Sequence, residues 1–302
     1  MTRSTILLAL AGCGSSAARD PDAGPIDTTP DAPAVECVPL SHCTWLEAYQ
    51  REIVGALAGA IEIAPGVTLA HRASVAERDA ARSYLIAAFE TLDIPVARHD
   101  YATGANVIAT LPSTTGAGST IVVGAHFDGV PEGPAAADNA TGVAIVLATA
   151  RYLRDVPVRE HPIVFALFDE EELGLIGSKA YVPTLATTEV ASVHIFDMLS
   201  FDGDGDHAVE LWSPAPAIAA AYQQYGAVAG MPISVVTFAY SDHQAFIDAG
   251  LPATGVGEEF VAKDHTPHYH KATDVFENVS FDHLSRVTHL AWTVLEAEVR
   301  AP

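Results

Sequence analysis

His126 and Asp128 flank one phenylalanine at the end of the apolar run TIVVGAH, and further polar clusters interrupt other apolar stretches. Asp138 lies in AADNATG, ahead of a helix-like run. Asp169, Glu170, Glu171 and Glu172 follow PIVFALF, and Asp197 closes SVHIF. A later loop, PHYHKATD, adds His268, His270 and Asp274. Imidazole nitrogens and carboxylate oxygens are good zinc ligands, and a catalytic zinc keeps one position open for water. Of two adjacent glutamates, one can ligate while the other, carried on the same backbone, takes a proton from water. A ligating His126 needs its second ring nitrogen tied to an acceptor, and Asp128 is a short reach away. This is the inventory of a metal-dependent catalytic site.

Such a site needs elements that bring its parts together. The segments 106–111, 120–126, 162–168, 192–196, 207–212 and 233–238 are rich in β-branched and aromatic residues and are expected to be strands. Helical spacing marks 44–61, 141–154, 174–182, 215–228, 243–249 and 281–299, and Ser74 with Glu77 forms a capping box ahead of an amphipathic run to Leu92. The runs at 121–125 and 163–168 are apolar on both faces, as in strands buried between helix layers. The alternation predicts a three-layer α/β domain, a mostly parallel mixed sheet flanked by helices, over residues 36–302. Its polar clusters fall at strand C-termini, where open α/β sheets hold their ligands.

Composition narrows the partners. The chain has 302 residues, with 15 Lys plus Arg against 38 Asp plus Glu and a formal charge of −23. That balance excludes a general nucleic-acid binder and recruitment to anionic lipid by a basic face. At the N-terminus, Arg3, the apolar stretch Ile6 to Leu10 and the ending Leu10-Ala11-Gly12-Cys13 have the layout of a secretory signal with a bacterial lipobox. Residues 1–12 are therefore expected to be a lipoprotein signal peptide, with Cys13 lipidated. Residues 13–35, rich in Pro, Asp and Ala, are expected to be a disordered tether. The protein is then exported and lipid-anchored to a bacterial membrane, at the periplasmic side or the cell surface, touching the bilayer only through that anchor. Cys37 and Cys43 remain as an even pair that can close a small disulfide loop in an oxidising compartment.

The segments GAHFDGV, AAADNATGVA, FDEEELGLIGSKAYV, IFDML, YSDHQAFIDAGLPA and HYHKATD follow one another in this order. In them, from about residue 104 to 300, the chain resembles the co-catalytic two-zinc aminopeptidases, a zinc exopeptidase family that includes secreted bacterial enzymes. The resemblance implies two Zn2+ per chain, with Asp138 bridging both. It implies His126 and Asp197 as ligands of one zinc, and Glu172 and His270 as ligands of the other. It further implies Glu171 as general base and then acid, Asp128 as the partner of His126, and a cis peptide bond between Asp138 and Asn139. Peptides with a free N-terminus are the implied substrates, their first residue removed by a hydroxide bridging the zincs.

His270 is preferred to His265 and His268 because the family places its ligand histidine ahead of an aspartate, here Asp274. His268 is read as a surface histidine. Met198 and Tyr269 are candidates for the substrate pocket. Glu170 has no assigned role and is expected to be exposed. Ser241 or Asp242 is expected to cap a helix, and Asp202 to Asp206 to form a turn, since DGDGD lacks the glycine and glutamate of a calcium loop. His71, His99, His161, His194, His283 and His289 receive no role. Two related activities compete. Glutaminyl cyclases share the fold but use one zinc as acyltransferases, and EELGLIGS is unlike them. The related two-zinc carboxypeptidases and deacetylases insert a domain that the stretch from Asp197 to His270 is too short to hold.

Overall fold

Side chains alternating between two faces set the architecture. A computed structural model describes residues 37–38 and 42–302, except 117, 187 and 188. Eight strands form its main sheet: β3 Val96–Asp100, β4 Ala105–Leu111, β5 Thr120–His126, β6 Ile163–Phe168, β7 Val190–Asp197, β8 Val209–Trp212, β9 Ile233–Val236 and β10 Ala253–Gly257. Their order across the sheet is β3-β4-β6-β5-β7-β10-β8-β9. The central four, β6, β5, β7 and β10, run parallel, and antiparallel pairing joins β4 to β6 and β8 to β10.

Along β5, Ile121, Val123 and Ala125 belong to a core built with α1 Leu46–Leu57, α2 Val75–Thr91, α3 Thr141–Arg154, α5 Pro216–Ala229 and α7 Phe281–Arg300. Val122, one residue out of phase, belongs to a second core with Tyr181 of α4 Ile176–Tyr181 and Phe246 of α6 His243–Asp248. Helices thus cover both faces, giving the three-layer α/β fold and the mixed, mostly parallel sheet that the sequence implies. All described residues belong to one compact unit. None of its helices is long and apolar enough to cross a membrane.

Register then fixes where the chemistry can sit. His126 ends β5 opposite Phe168 of β6, and Asp197 ends β7 opposite Gly257 of β10. The parallel strands therefore stop together along one edge, and whatever follows them is gathered there.

Several boundaries differ from expectation for local reasons. The first helix stops at Leu57, because Gly59 adopts a φ of 69°. The fourth starts only at Ile176, since Gly174 and Leu175 take φ of 106° and 60°. The strand expected from His207 begins at Val209, because His207 lies in a turn with φ 62°. Two strands of the main sheet were not expected. β3, VARHD, is a charged edge strand, whereas β10, ATGVG, carries glycines under an indole. A Cβ on Gly257 would fall 2.1 Å from Trp212 Cζ2, and one on Gly255 would fall 2.7 Å from its Cε3. Ser74 caps the helix as expected, with Glu77 N donating to Ser74 Oγ, but the Glu77 carboxylate accepts from Ser74 Oγ at 2.7 Å and from the amides of Ala70 and His71 instead of closing the reciprocal half of the box.

At the start of the described chain, β1 Cys37–Val38 pairs antiparallel with β2 His42–Cys43, with Cys37 opposite Cys43. Cys43 is disulfide-bonded. The side chain of Cys37, and residues 1–35 with the expected lipidation site Cys13, lie outside the described residues.

Candidate metal centre

Asp138 lies in the short segment Ala136–Ala140 that feeds α3, where the backbone leaves helical geometry at Asp138 (φ −111°) and Asn139 (φ −137°). The Asp138–Asn139 peptide bond is cis. The backbone amides of Ala137 and of Asp138 itself are committed elsewhere, donating to the Asp274 carboxylate at 2.7 and 3.1 Å. Asn139 accepts from Gly142 N at 2.8 Å and Met198 N at 3.2 Å, and donates to Phe196 O at 2.8 Å. This side chain therefore caps α3 and ties the turn to the end of β7, leaving the Asp138 carboxylate facing the sheet edge.

Its two oxygens face different histidines. Asp138 Oδ1 lies 3.2 Å from His126 Nε2, which is also 3.5 Å from Asp197 Oδ1. Asp138 Oδ2 lies 3.1 Å from His270 Nε2, which is also 3.1 Å from Glu172 Oε2. Two three-residue groups thus share one carboxylate. Ligands ~2.1 Å from a common tetrahedral ion stand ~3.4 Å apart, close to these separations. Buried oxygens of the group, Glu172 Oε1 and Asp197 Oδ1, find no hydrogen-bond partner. Unpaired buried acceptors are costly, so a nitrogen and oxygen donor set with acceptors to spare suits a bound zinc.

One carboxylate organises the surroundings. Asp128 Oδ1 lies 3.3 Å from His126 Nδ1 and accepts from Glu171 N at 3.1 Å, while Oδ2 accepts from Glu172 N at 3.1 Å. Electrostatics divide the acids. Burial alone would raise the Asp138 pKa, but His126 and His270 outweigh it and hold the carboxyl well below its ordinary range. Glu171 is pushed well above the usual glutamate value by burial and by the charges of Asp242, Asp197 and Glu172, with His126 opposing. His270 is pushed up to about 10 by its contacts with Asp138 and Glu172.

The structure brings His126, Asp128, Asp138, Glu171, Glu172, Asp197 and His270 together at one edge. Met198 and Tyr269 line the same cleft, and Tyr269 stacks on His270 with ring centroids 3.8 Å apart. Trp212, Phe238, Tyr240 and Phe260 complete an aromatic wall that sequence patterns did not disclose. His268 bonds to Thr273 Oγ1 at 2.9 Å, and the His265 ring stacks on Phe260.

Two expectations are corrected. Glu170 is buried rather than exposed, because it pairs with Arg78 at 2.9 Å while Asp169 binds both Arg78 and Arg82. The start of α6 has no side-chain cap, and Asp242 is instead buried with its pKa pushed up to about 7 by burial. Arg72 is a further omission of the sequence reading. Fully buried, it donates to the carbonyls of Leu57, Phe127, Pro134 and Ala135 at 2.6 to 2.8 Å, pinning the loops on either side of Asp128 and Asp138. No motif surrounds it; only an arginine amid small apolar residues marks the place.

Comparison with known proteins gives a consistent picture. Residues 106–295 match the model of peptidase family M28. The probable lipoprotein aminopeptidase LpqL of Mycobacterium tuberculosis is 32% identical over 208 residues, 58% of this chain and 41% of that protein. A zinc aminopeptidase structure from Bacillus subtilis superposes with a TM-score of 0.61 at 25% identity, covering 65% of this chain and 50% of the other. The glutaminyl cyclase of Porphyromonas gingivalis shares the fold, with a TM-score of 0.67 at 18% identity, over 84% of this chain and 98% of the cyclase. The chain spans about half the length of the curated relatives it matches, 41% and 49% for the first two.

Proposed function

The chain belongs to peptidase family M28, and from that premise we propose that it is a zinc-dependent aminopeptidase that removes the first residue of peptides. The observation that carries the reading is Asp138 with one oxygen toward each histidine, Asp197 and Glu172 flanking, and Glu171 beside them. His126, Asp138 and Asp197 would hold one zinc; Asp138, Glu172 and His270 would hold the second. Zinc held there polarises the scissile carbonyl and makes water acidic enough to lose a proton near neutral pH.

The chain's own residues do the rest. Glu171 takes the proton from the attacking water on its carboxylate and passes it to the departing amine. Asp128, through the amides of Glu171 and Glu172, keeps base and ligand in fixed relation. The carboxylates lining the cleft would favour a positively charged α-amino group, which selects chain ends over internal bonds. The aromatic wall of Trp212, Phe238, Tyr240 and Phe260, with Met198 and Tyr269, fits a large apolar first side chain. The carboxypeptidase and deacetylase alternative finds no room: 197–270 contributes β8, α5, β9, α6 and β10 to this one domain.

We extend the proposal to location. The LAGC start and the name of the mycobacterial relative support a lipid anchor on Cys13, and the bonded Cys43 suits an oxidising compartment. Residues 13–35 would then hold the catalytic domain, 36–302, away from the bilayer.

The test is hydrolysis of amino-acid amides by the purified protein. Leucine and phenylalanine amides should be cleaved, N-acetylated versions refused, and activity lost to a chelator and restored by zinc. Cleavage that survives complete metal removal overturns the reading. Cyclisation of N-terminal glutamine without amide hydrolysis replaces it with the cyclase reading.

A further inference from the structure

Beyond the cleft, the β7–β8 connection meets the first turn of α7, and there a buried histidine stands without a partner. His283 follows the N-cap Ser280, and its side chain is 2% exposed. Neither ring nitrogen makes a hydrogen bond. Leaving a buried imidazole unsatisfied is costly, so its surroundings need a reason to keep it there. Its Nδ1 points at Asp202 Oδ2, 3.9 Å away and too far for a hydrogen bond.

Asp202 turns its two oxygens to different partners. Its Oδ1 accepts the amides of Gly205 at 2.9 Å and His207 at 3.4 Å. Oδ2 instead is hydrogen-bonded to His207 Nδ1 at 2.5 Å and faces His283 Nδ1 at 3.9 Å. His207 takes its φ of 62° in this turn. One ligand atom from each of the three residues lies within 4.8 Å of the others.

We propose that Asp202, His207 and His283 form a separate metal site, taking zinc or a similar late first-row ion. Two imidazoles and one carboxylate oxygen are the donors such ions prefer, whereas calcium and magnesium favour oxygen throughout. Bonds of ~2.1 Å require ligand atoms ~3.4 Å apart, a value between the two imidazole–carboxylate separations of 2.5 and 3.9 Å. His207 is one-third exposed, which gives solvent the fourth position. Burial also drives the His283 pKa down to about 4, keeping the ring neutral with a lone pair to donate. The metal would staple the connection leaving Asp197 to α7, two segments already joined by Ser280 N donating to Ser200 O at 2.9 Å.

The proposal does not rest on the aminopeptidase reading, and its test keeps the two apart. The full chain carrying Asp138→Ala, which removes the carboxylate shared in the cleft, is stripped of metal, dialysed against zinc and analysed for metal content. One zinc per chain should remain, and it should be lost in Asp138→Ala combined with His283→Leu or with His207→Ala. His207 is one-third exposed and lies outside the hydrophobic cores, so its removal leaves the core packing in place and circular dichroism should be unchanged. Zinc retained in both combined variants, no zinc in Asp138→Ala alone, or calcium bound in preference to zinc overturns the site.

Discussion

Asp128 touches no proposed substrate atom, yet it governs three residues that do the proposed work, His126, Glu171 and Glu172. Asp128→Asn keeps the shape but turns one acceptor into a donor facing an amide. Zinc affinity should fall about 10–100-fold, read by titration against a competing chelator. Glu171→Gln tests the proton carrier alone: kcat should drop about 10²–10⁴-fold while zinc content stays that of the parent. These residues were legible in the sequence because each follows an apolar strand and its chemistry has few structural uses there. Glu170 was misread because its partner, Arg78, is 92 residues away, and no local pattern announces an ion pair at that distance. The aromatic wall was missed for a similar reason: Trp212, Phe238, Tyr240 and Phe260 come from separate segments that only the sheet edge unites.

Among the elements, the central strands were legible from their apolar runs, whereas β10 was hidden by its glycines. Sequence periodicity reports side-chain burial, and a strand whose cover is another residue's indole has little side chain to report. Gly257→Ala tests that account. A methyl at 2.1 Å from Trp212 Cζ2 must displace the ring or the strand, and the unfolding free energy should fall by about 1–3 kcal/mol or more in denaturant titration. Because Gly257 pairs with Asp197, the substitution should also weaken zinc binding, which a purely global loss of stability would leave unchanged in the folded fraction. β3 was overlooked because an edge strand needs few apolar residues, and its charges serve to discourage further pairing.

For the whole molecule, a formal charge of −23 disfavours recruitment to an anionic membrane through a basic face, and the proposed surface association is assigned to Cys13. Cys13→Ser should move the protein from the membrane fraction to the soluble fraction of expressing cells, without changing the specific activity of what is recovered. Unchanged partitioning would remove the anchor and leave the catalytic proposal standing. The proposed tether, residues 13–35, would reach at most ~80 Å if fully extended.

Trp212 serves the cleft with one part of its indole and the β10 backbone with another. Any attempt to retune which first residue is accepted meets that double commitment. A smaller side chain at 212 would widen the cleft and at the same time uncover Gly255 and Gly257, trading selectivity against the integrity of the sheet. Tyr240, 81% exposed on the same wall, carries no such burden. New specificities are therefore reachable from the rim of this molecule, while its floor is closed to tinkering.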